Sequence, residues 1–220
     1  MGRGLAKAGF SIVVIAGLLF AAAGRFDWPM AWVYVGLALT GAVIGTLVAD
    51  RGLLAERAGI VAGSKDWDIP LAIFSGRLGP LAMAAVAGLD RRYGWTSGLP
   101  LAIVAAAGTV LALAYALTLW AMAVNRFFSA VVRIQHDRGH VVVDRGPYRL
   151  VRHPGYVGVI LVSLATPVLL GSAWALAPAG LVAAIAVLRT ALEDRTLGEE
   201  LPGYRDYARR VPYRLLPGIW

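Results

Sequence analysis

The sequence has 220 residues, of which 59% are hydrophobic and only 15% are charged. An average soluble domain carries about 25% charged residues, so this composition excludes an ordinary water-soluble enzyme. The absence of cysteine excludes disulfides and thiolate metal sites, and three histidines are too few for a histidine-rich metal site. We therefore predict no metal.

Six apolar blocks follow one another along the chain. A bilayer core of about 30 Å requires roughly 20 apolar residues per helix, a length that the first four blocks reach. We predict an all-α, multi-pass integral membrane protein with about five or six transmembrane helices, including a C-terminal hairpin, in a single membrane domain over residues 1–220. The blocks lie at 8–24, 30–49, 70–89, 99–124, 155–170 and 173–188. The first block could also be a signal peptide, but the spans after it favour a membrane helix.

The net charge of +8 is concentrated in alternate connections between the blocks. The positive-inside rule then places both termini and the polar segments in the cytoplasm. The basic excess sets topology and favours anionic membrane lipids as partners, rather than nucleic acid. The rich segments are Arg3 to Lys7, 51–65, 126–152 and 189–214, and the poor loops hold Arg25, Arg91 and Arg92.

Arg77 is the exception, since it lies inside the third apolar block. A charge there costs a few kcal/mol, which would be consistent with a substrate or headgroup contact in the bundle interior. The favoured alternative is that Gly76, Gly79 and Pro80 bend the helix and let Arg77 reach an interface.

The polar segment that begins at residue 125 ends in "RHPGY", Arg152 to Tyr156. Pro154 is suited to the first turn of a helix, where its missing N–H costs nothing. Arg152 and His153 would then stand before free N–H groups, which favours an anion site at the membrane surface. The alternative is a basic cluster that only sets topology.

A second charged cluster follows the last apolar block. Arg189 and Glu193 are four residues apart and share a helix face, with Asp194 beside them. Acids at a helix C-terminus are opposed by the helix dipole, so they indicate a function if the helix ends there. Alternatively the helix continues to about Leu201 and the acids are solvated. Because the hairpin returns to its own membrane face, we expect His153 and Glu193 to lie close together.

Three motifs occur in order: "GHVVVDRGPYRLVRHPGYVG", "RTALEDRTL" and "YRDYARRVPYRLLPG". Together they resemble the isoprenylcysteine carboxyl methyltransferase family, which is related to membrane phospholipid N-methyltransferases. The resemblance covers roughly residues 125–218, whereas residues 1–124 resemble the family only in being membrane helices. Asp194 stands where a second glutamate is usual in the family.

The resemblance implies S-adenosylmethionine as cofactor and S-adenosylhomocysteine as product. It also implies a cytoplasmic cofactor-binding loop and tail, without the Gly-x-Gly-x-x-Gly fingerprint of a Rossmann fold. The residues that it assigns to the cofactor pocket are Gln135, His140, Val141, Gly146, Tyr148, His153, Tyr156, Glu193 and Asp194.

The candidate catalytic residues depend on the methyl acceptor. Arg152 or Arg189 could hold a carboxylate acceptor, which needs no general base, whereas Glu193 could deprotonate an amine. We predict carboxyl O-methylation of a prenyl-cysteine-like or other lipophilic acid, free or as part of a lipidated substrate. The alternatives are phospholipid N-methylation and methylation of a small thiol or another small lipophilic acceptor. A carrier or binding protein is the non-enzymatic alternative, but it would place polar groups near the membrane midplane.

Overall fold

The computed structural model describes residues 2–57 and 59–220, with side chains from residue 9 onward. Arg3 and Lys7, part of the basic pattern, have side chains outside that range. Within the described residues all regular structure is helical, as the sequence predicts. The helices are α1 (Gly2–Ala23), α2 (Pro29–Val48), α3 (Arg51–Glu56), α4 (Asp68–Ile73), α5 (Gly79–Tyr93), α6 (Leu101–Val124), α7 (Pro154–Leu169), α8 (Leu176–Glu200) and α9 (Tyr204–Arg210).

Every predicted apolar block forms a helix. Among the described residues, four helical stretches are long and apolar enough to cross a membrane: Pro29–Val48, Asp68–Tyr93, Leu101–Val124 and Leu176–Glu200. The apolar parts of α1 and α7, Gly9–Ala23 and Pro154–Leu169, are shorter. The prediction of a multi-pass integral membrane protein is therefore confirmed, whereas five or six spans remains a prediction.

The C-terminal hairpin consists of α7 and α8. Pro154 is the first residue of α7, as predicted. The close packing of α7 on α6 depends on Gly158, because a Cβ there would lie 2.0 Å from the Thr118 hydroxyl oxygen. Of the two alternatives for the end of α8, the structure shows the continuing helix, which ends at Glu200 beside the predicted Leu201, and a helix end at the acids is wrong. Glu193 and Asp194 therefore lie within the helix, and an opposing helix dipole does not explain them.

Arg77 lies in a π-helical turn, Phe74–Leu78, between α4 and α5. Pro80 follows this turn and cannot donate a backbone hydrogen bond, which accounts for a local change in helix geometry. The Arg77 side chain is exposed and does not line the cavity described below. The structure thus gives no support to an inward-facing substrate contact.

Long-range ion pairs bring three of the basic segments to one end of the helix bundle. Lys65 pairs with Glu200 at 2.6 Å, and buried Arg133 donates to Glu56 from Nε at 2.6 Å. At the opposite end, buried Asp90 accepts hydrogen bonds from Thr96 and Ser172. This separation is the one that the positive-inside pattern requires; the cytoplasmic assignment stays a prediction.

Candidate active site

A cavity of about 310 Å³ lies at the basic end of the bundle, within the size range of small-molecule sites. Its outer wall includes Tyr204 and Tyr207 of α9, together with the polar segment that precedes α7. Its inner wall includes Ala72 and Gly76 on the α4 side and Thr118 of α6. The cavity therefore connects polar loop residues with helices that are long enough to span a membrane.

Most of the predicted site residues meet in this cavity. The hairpin returns to its starting face, so the beginning of α7 and the last turns of α8 share one wall. The predicted residues that line the cavity are His140, Val141, Tyr148, Arg152, His153, Tyr156, Arg189 and Glu193. Their proximity is a structural fact, whereas their roles remain predictions.

Gln135, Gly146 and Asp194 do not line the cavity, contrary to expectation. Gln135 is buried and donates from Nε2 to the Phe127 carbonyl at 2.9 Å. Gly146 has a φ of +57°, which favours glycine, and a Cβ there would lie 3.1 Å from Nε1 of Trp120. These two residues therefore contribute to the loop around the cavity, since Gln135 bonds to the lining residue Phe127 and Gly146 packs on Trp120.

Asp194 is buried at the centre of a polar network. It accepts hydrogen bonds from Nε of Arg152 at 2.7 Å, from the Tyr204 hydroxyl at 2.7 Å and from Nε of Arg214 at 2.8 Å. Nε2 of His153 lies 3.1 Å from the same carboxylate. With its oxygens engaged in this way, Asp194 joins α8 to the start of α7, to α9 and to the tail, instead of facing a ligand.

Arg152 has little capacity left for an acceptor. Besides Asp194, its Nη1 donates to the carbonyls of Val211 and Pro212, both at 2.8 Å. Burial disfavours the charged guanidinium, but the hydrogen bond that Arg152 donates to Asp194, together with the negative charge of Asp194, outweighs burial and raises the pKa of Arg152. We therefore regard Arg152 as a support of the cavity wall.

Arg189 is likewise held by partners of its own. It donates to Asp68 from Nε at 2.6 Å and from Nη2 at 2.8 Å, and to the carbonyl of Ala130 at 3.0 Å. Its guanidinium carbon lies 5.3 Å from the centre of the Tyr156 ring. The charge of Arg189 is thus neutralised by Asp68, while its position fixes the Tyr156 side of the wall.

Glu193 lies one turn beyond Arg189 and is half-buried. It is the one carboxylate among the described lining residues, and no ion pair within 4 Å is found for it there. An unpaired carboxylate in a partly closed cavity is suited to a cationic ligand group, because burial strengthens the attraction.

Aromatic side chains cover much of the remaining wall. The His140 ring stacks at 4.5 Å on Phe127, and burial together with nearby Arg133 lowers the pKa of His140 to about 4. The hydroxyl of Tyr148 accepts from Asn125 at 3.0 Å, and burial raises the pKa of Tyr148. Both rings are therefore neutral near pH 7 and offer faces on which a cation or a purine can pack.

Several residues that line or support the cavity were not predicted. Tyr204 and Tyr207 were noticed only as part of a motif, although Tyr207 donates to the Tyr148 carbonyl at 2.7 Å. Asp68 precedes an apolar block, and it could have been predicted as the partner of Arg189, because an arginine inside a membrane helix requires an opposite charge. Arg57 gave no signal, because it lies outside the motif series.

The helices and the cavity define an all-helical membrane protein with a polar site at one end of its bundle. Residues 106–200 match the model of the isoprenylcysteine carboxyl methyltransferase (ICMT) family. The resemblance inferred from the motif series is thus confirmed, and this is the part of the chain that carries it.

Curated relatives match over a similar length. A probable protein-S-isoprenylcysteine O-methyltransferase from Oryza sativa subsp. indica is 32% identical over 40% of this chain and 36% of its own. Protein-S-isoprenylcysteine O-methyltransferase A from Arabidopsis thaliana is 30% identical over 40% of this chain and 35% of its own. The cobalt-zinc-cadmium resistance protein CzcN from Cupriavidus metallidurans is 37% identical over 40% of this chain and 41% of its own. The chain thus spans little more than a third of the length of the plant relatives.

Proposed function

We propose that the protein is a membrane methyltransferase that uses S-adenosylmethionine to methylate a lipophilic acceptor. The observation that carries this proposal is Glu193, which has no ion pair within 4 Å among the described residues and lines an aromatic cavity that reaches the apolar helices. This cavity is formed largely by the region that matches the methyltransferase family. A membrane carrier is less consistent with it, because the polar lining is gathered at one end of the bundle.

The lining residues fit the proposed cofactor. A sulfonium and an ammonium group need a carboxylate and aromatic faces, which Glu193, Tyr148 and Tyr156 supply. When bound, the cofactor supplies a methyl group that a nucleophile takes in line, with the carbon–sulfur electron pair remaining on sulfur. The residues of this chain then have to align the two ligands and exclude water.

For the acceptor we propose a carboxylate on a prenyl-cysteine-like or other lipophilic acid. The plant relatives are named for methylation of isoprenylcysteine, and the inner wall of the cavity lies among apolar helices. A carboxylate is already ionised near pH 7, so no residue has to remove a proton. Phospholipid N-methylation would instead use Glu193 as the base. We also propose that the cavity faces the cytoplasm.

The direct test combines binding with label transfer. Detergent-purified protein should bind S-adenosylmethionine and S-adenosylhomocysteine by calorimetry. It should then transfer tritiated methyl groups to members of a panel of lipophilic acids, amines and thiols. Base-labile counts would identify an ester and support carboxyl methylation, whereas base-stable counts in lipid amines would replace it with N-methylation. No cofactor binding at millimolar concentration would refute the proposed function.

A further inference from the structure

The charges that line the cavity are not equally engaged. Four arginines line it, and three have a carboxylate partner: Arg133 with Glu56, Arg152 with Asp194, and Arg189 with Asp68. Arg57 is the fourth, and it has no carboxylate within 4 Å among the described residues. The one hydrogen bond found for its side chain runs from Nη1 to the Phe128 carbonyl at 3.3 Å.

The position of Arg57 is nevertheless defined. Its guanidinium carbon lies 5.3 Å from the centre of the Phe128 ring. That ring in turn covers Gly155 at the beginning of α7, where a Cβ would lie 2.5 Å from it. An aromatic face orients a guanidinium without neutralising it, so the outward N–H groups stay available to an anion.

We infer that Arg57 binds the carboxylate of the acceptor and thereby selects lipophilic acids as substrates. The inference rests on the proposed function and assigns to Arg57 the role that the sequence had suggested for Arg152 or Arg189. Arg57 comes from the connection after α3, outside the family-matched residues 106–200. Glu193 comes from within them, so the unpaired anion and the unpaired cation are contributed by different parts of the chain.

This arrangement suits two ligands of opposite charge. A cationic methyl donor is attracted to Glu193, and an anionic acceptor is attracted to Arg57. A planar guanidinium can hold a carboxylate through two parallel hydrogen bonds, one to each oxygen. A neutral carboxamide has only one oxygen and no charge, so it cannot reproduce this arrangement. Arg57 is thus a specificity-determining residue, and it takes no part in bond making.

The test compares an acid with its amide. We would measure the Kd of N-acetyl-S-farnesylcysteine and of its carboxamide by calorimetry, in the presence of S-adenosylhomocysteine. The wild-type protein should bind the acid at least tenfold more tightly than the carboxamide. Arg57→Ala should remove this preference, and Arg57→Lys should retain part of it, while the Kd for S-adenosylhomocysteine changes less than twofold. Arg51→Ala, at an arginine of α3 that does not line the cavity, should behave as wild type.

Three results would overturn the inference. The first is an unchanged acid preference in Arg57→Ala, and the second is no acid preference in the wild type. The third is a parallel loss of S-adenosylhomocysteine binding in Arg57→Ala, which would assign Arg57 to the cofactor carboxylate. Each result leaves the proposed function standing if the wild type still binds the cofactor and transfers methyl groups. Melting temperatures in detergent establish that each variant is folded.

Discussion

Arg189 and Glu193 lie one turn apart on α8 and line the same cavity, yet only Arg189 has a partner of opposite charge. Asp68 takes two hydrogen bonds from Arg189, and no cation pairs with Glu193 among the described residues. One residue therefore supports the wall while the other is available to a ligand.

The first prediction concerns Glu193. Glu193→Gln should weaken the binding of S-adenosylhomocysteine at least tenfold, because the amide keeps the shape of the side chain and loses the charge that attracts the ligand ammonium. The melting temperature should stay within about 2 °C of wild type. Glu199→Gln, at an exposed position of the same helix, is the matched control and should bind normally. Equal affinity in the two variants would place the cofactor elsewhere.

The second prediction concerns Asp68, which is fully buried. Asp68→Ala should destabilise the protein by about 3–5 kcal/mol, because it leaves the buried Arg189 charge without a partner. At about 2–4 °C per kcal/mol for a chain of this size, the melting temperature should fall by roughly 6–20 °C. Asp206→Ala removes an exposed ion pair with Arg209 and should shift the melting temperature by no more than a few degrees. Similar melting temperatures for the two variants would contradict a structural role for the Asp68–Arg189 pair.

The third prediction is a pH dependence from His140. The pKa of His140 is about 4 in the folded protein, below the ordinary value of 6.5. The unfolded chain then binds more protons between these values, so the contribution of His140 to stability is complete above pH 6.5 and declines as the pH falls toward 4. Solvent screening of this partly exposed ring keeps the loss between pH 7 and 5.5 below about 1 kcal/mol.

Thermal melting at the two pH values measures this loss. His140→Gln should lose less stability than wild type between pH 7 and 5.5, because it carries no imidazole to protonate. An identical pH dependence of stability in His140→Gln and wild type would show that folding does not lower the pKa of His140.

The fourth prediction tests the packing that places the start of α7. Gly158→Ala should cost about 1–3 kcal/mol, because its Cβ cannot fit beside the Thr118 hydroxyl without moving α6 and α7 apart. Gly180→Ala in α8 meets nothing within 4 Å and should be neutral or slightly stabilising. Melting temperatures compare the two, and a Gly158→Ala protein as stable as Gly180→Ala would contradict the close approach.

The sequence predicted the helices and that His153 and Glu193 lie in one site, because hydrophobic length and Pro154 are local signals. It did not predict the direct contact of His153 with Asp194. It did not separate Glu193 from Asp194. Adjacent helical residues point about 100° apart, and which of them faces the cavity depends on how α8 is rotated against its neighbours. The pairing of Asp68 with Arg189 spans 121 positions and has no local signature. Arg57 was missed because its distinguishing property also depends on distant contacts: among the described residues it is the lining arginine that has no carboxylate partner.

Two buried ion pairs join the first part of the chain to the family-matched region: Glu56 with Arg133, and Asp68 with Arg189. These pairs limit how the protein can be recombined with its relatives. In each pair the acid precedes residue 106 and the arginine lies in the family-matched region. A chimera that exchanged only the first hundred residues would bring two desolvated guanidiniums against foreign helices. Successful exchanges should therefore carry matching acids at both positions, and a change at Arg57, next to Glu56, should alter which acceptor is chosen without breaking either pair.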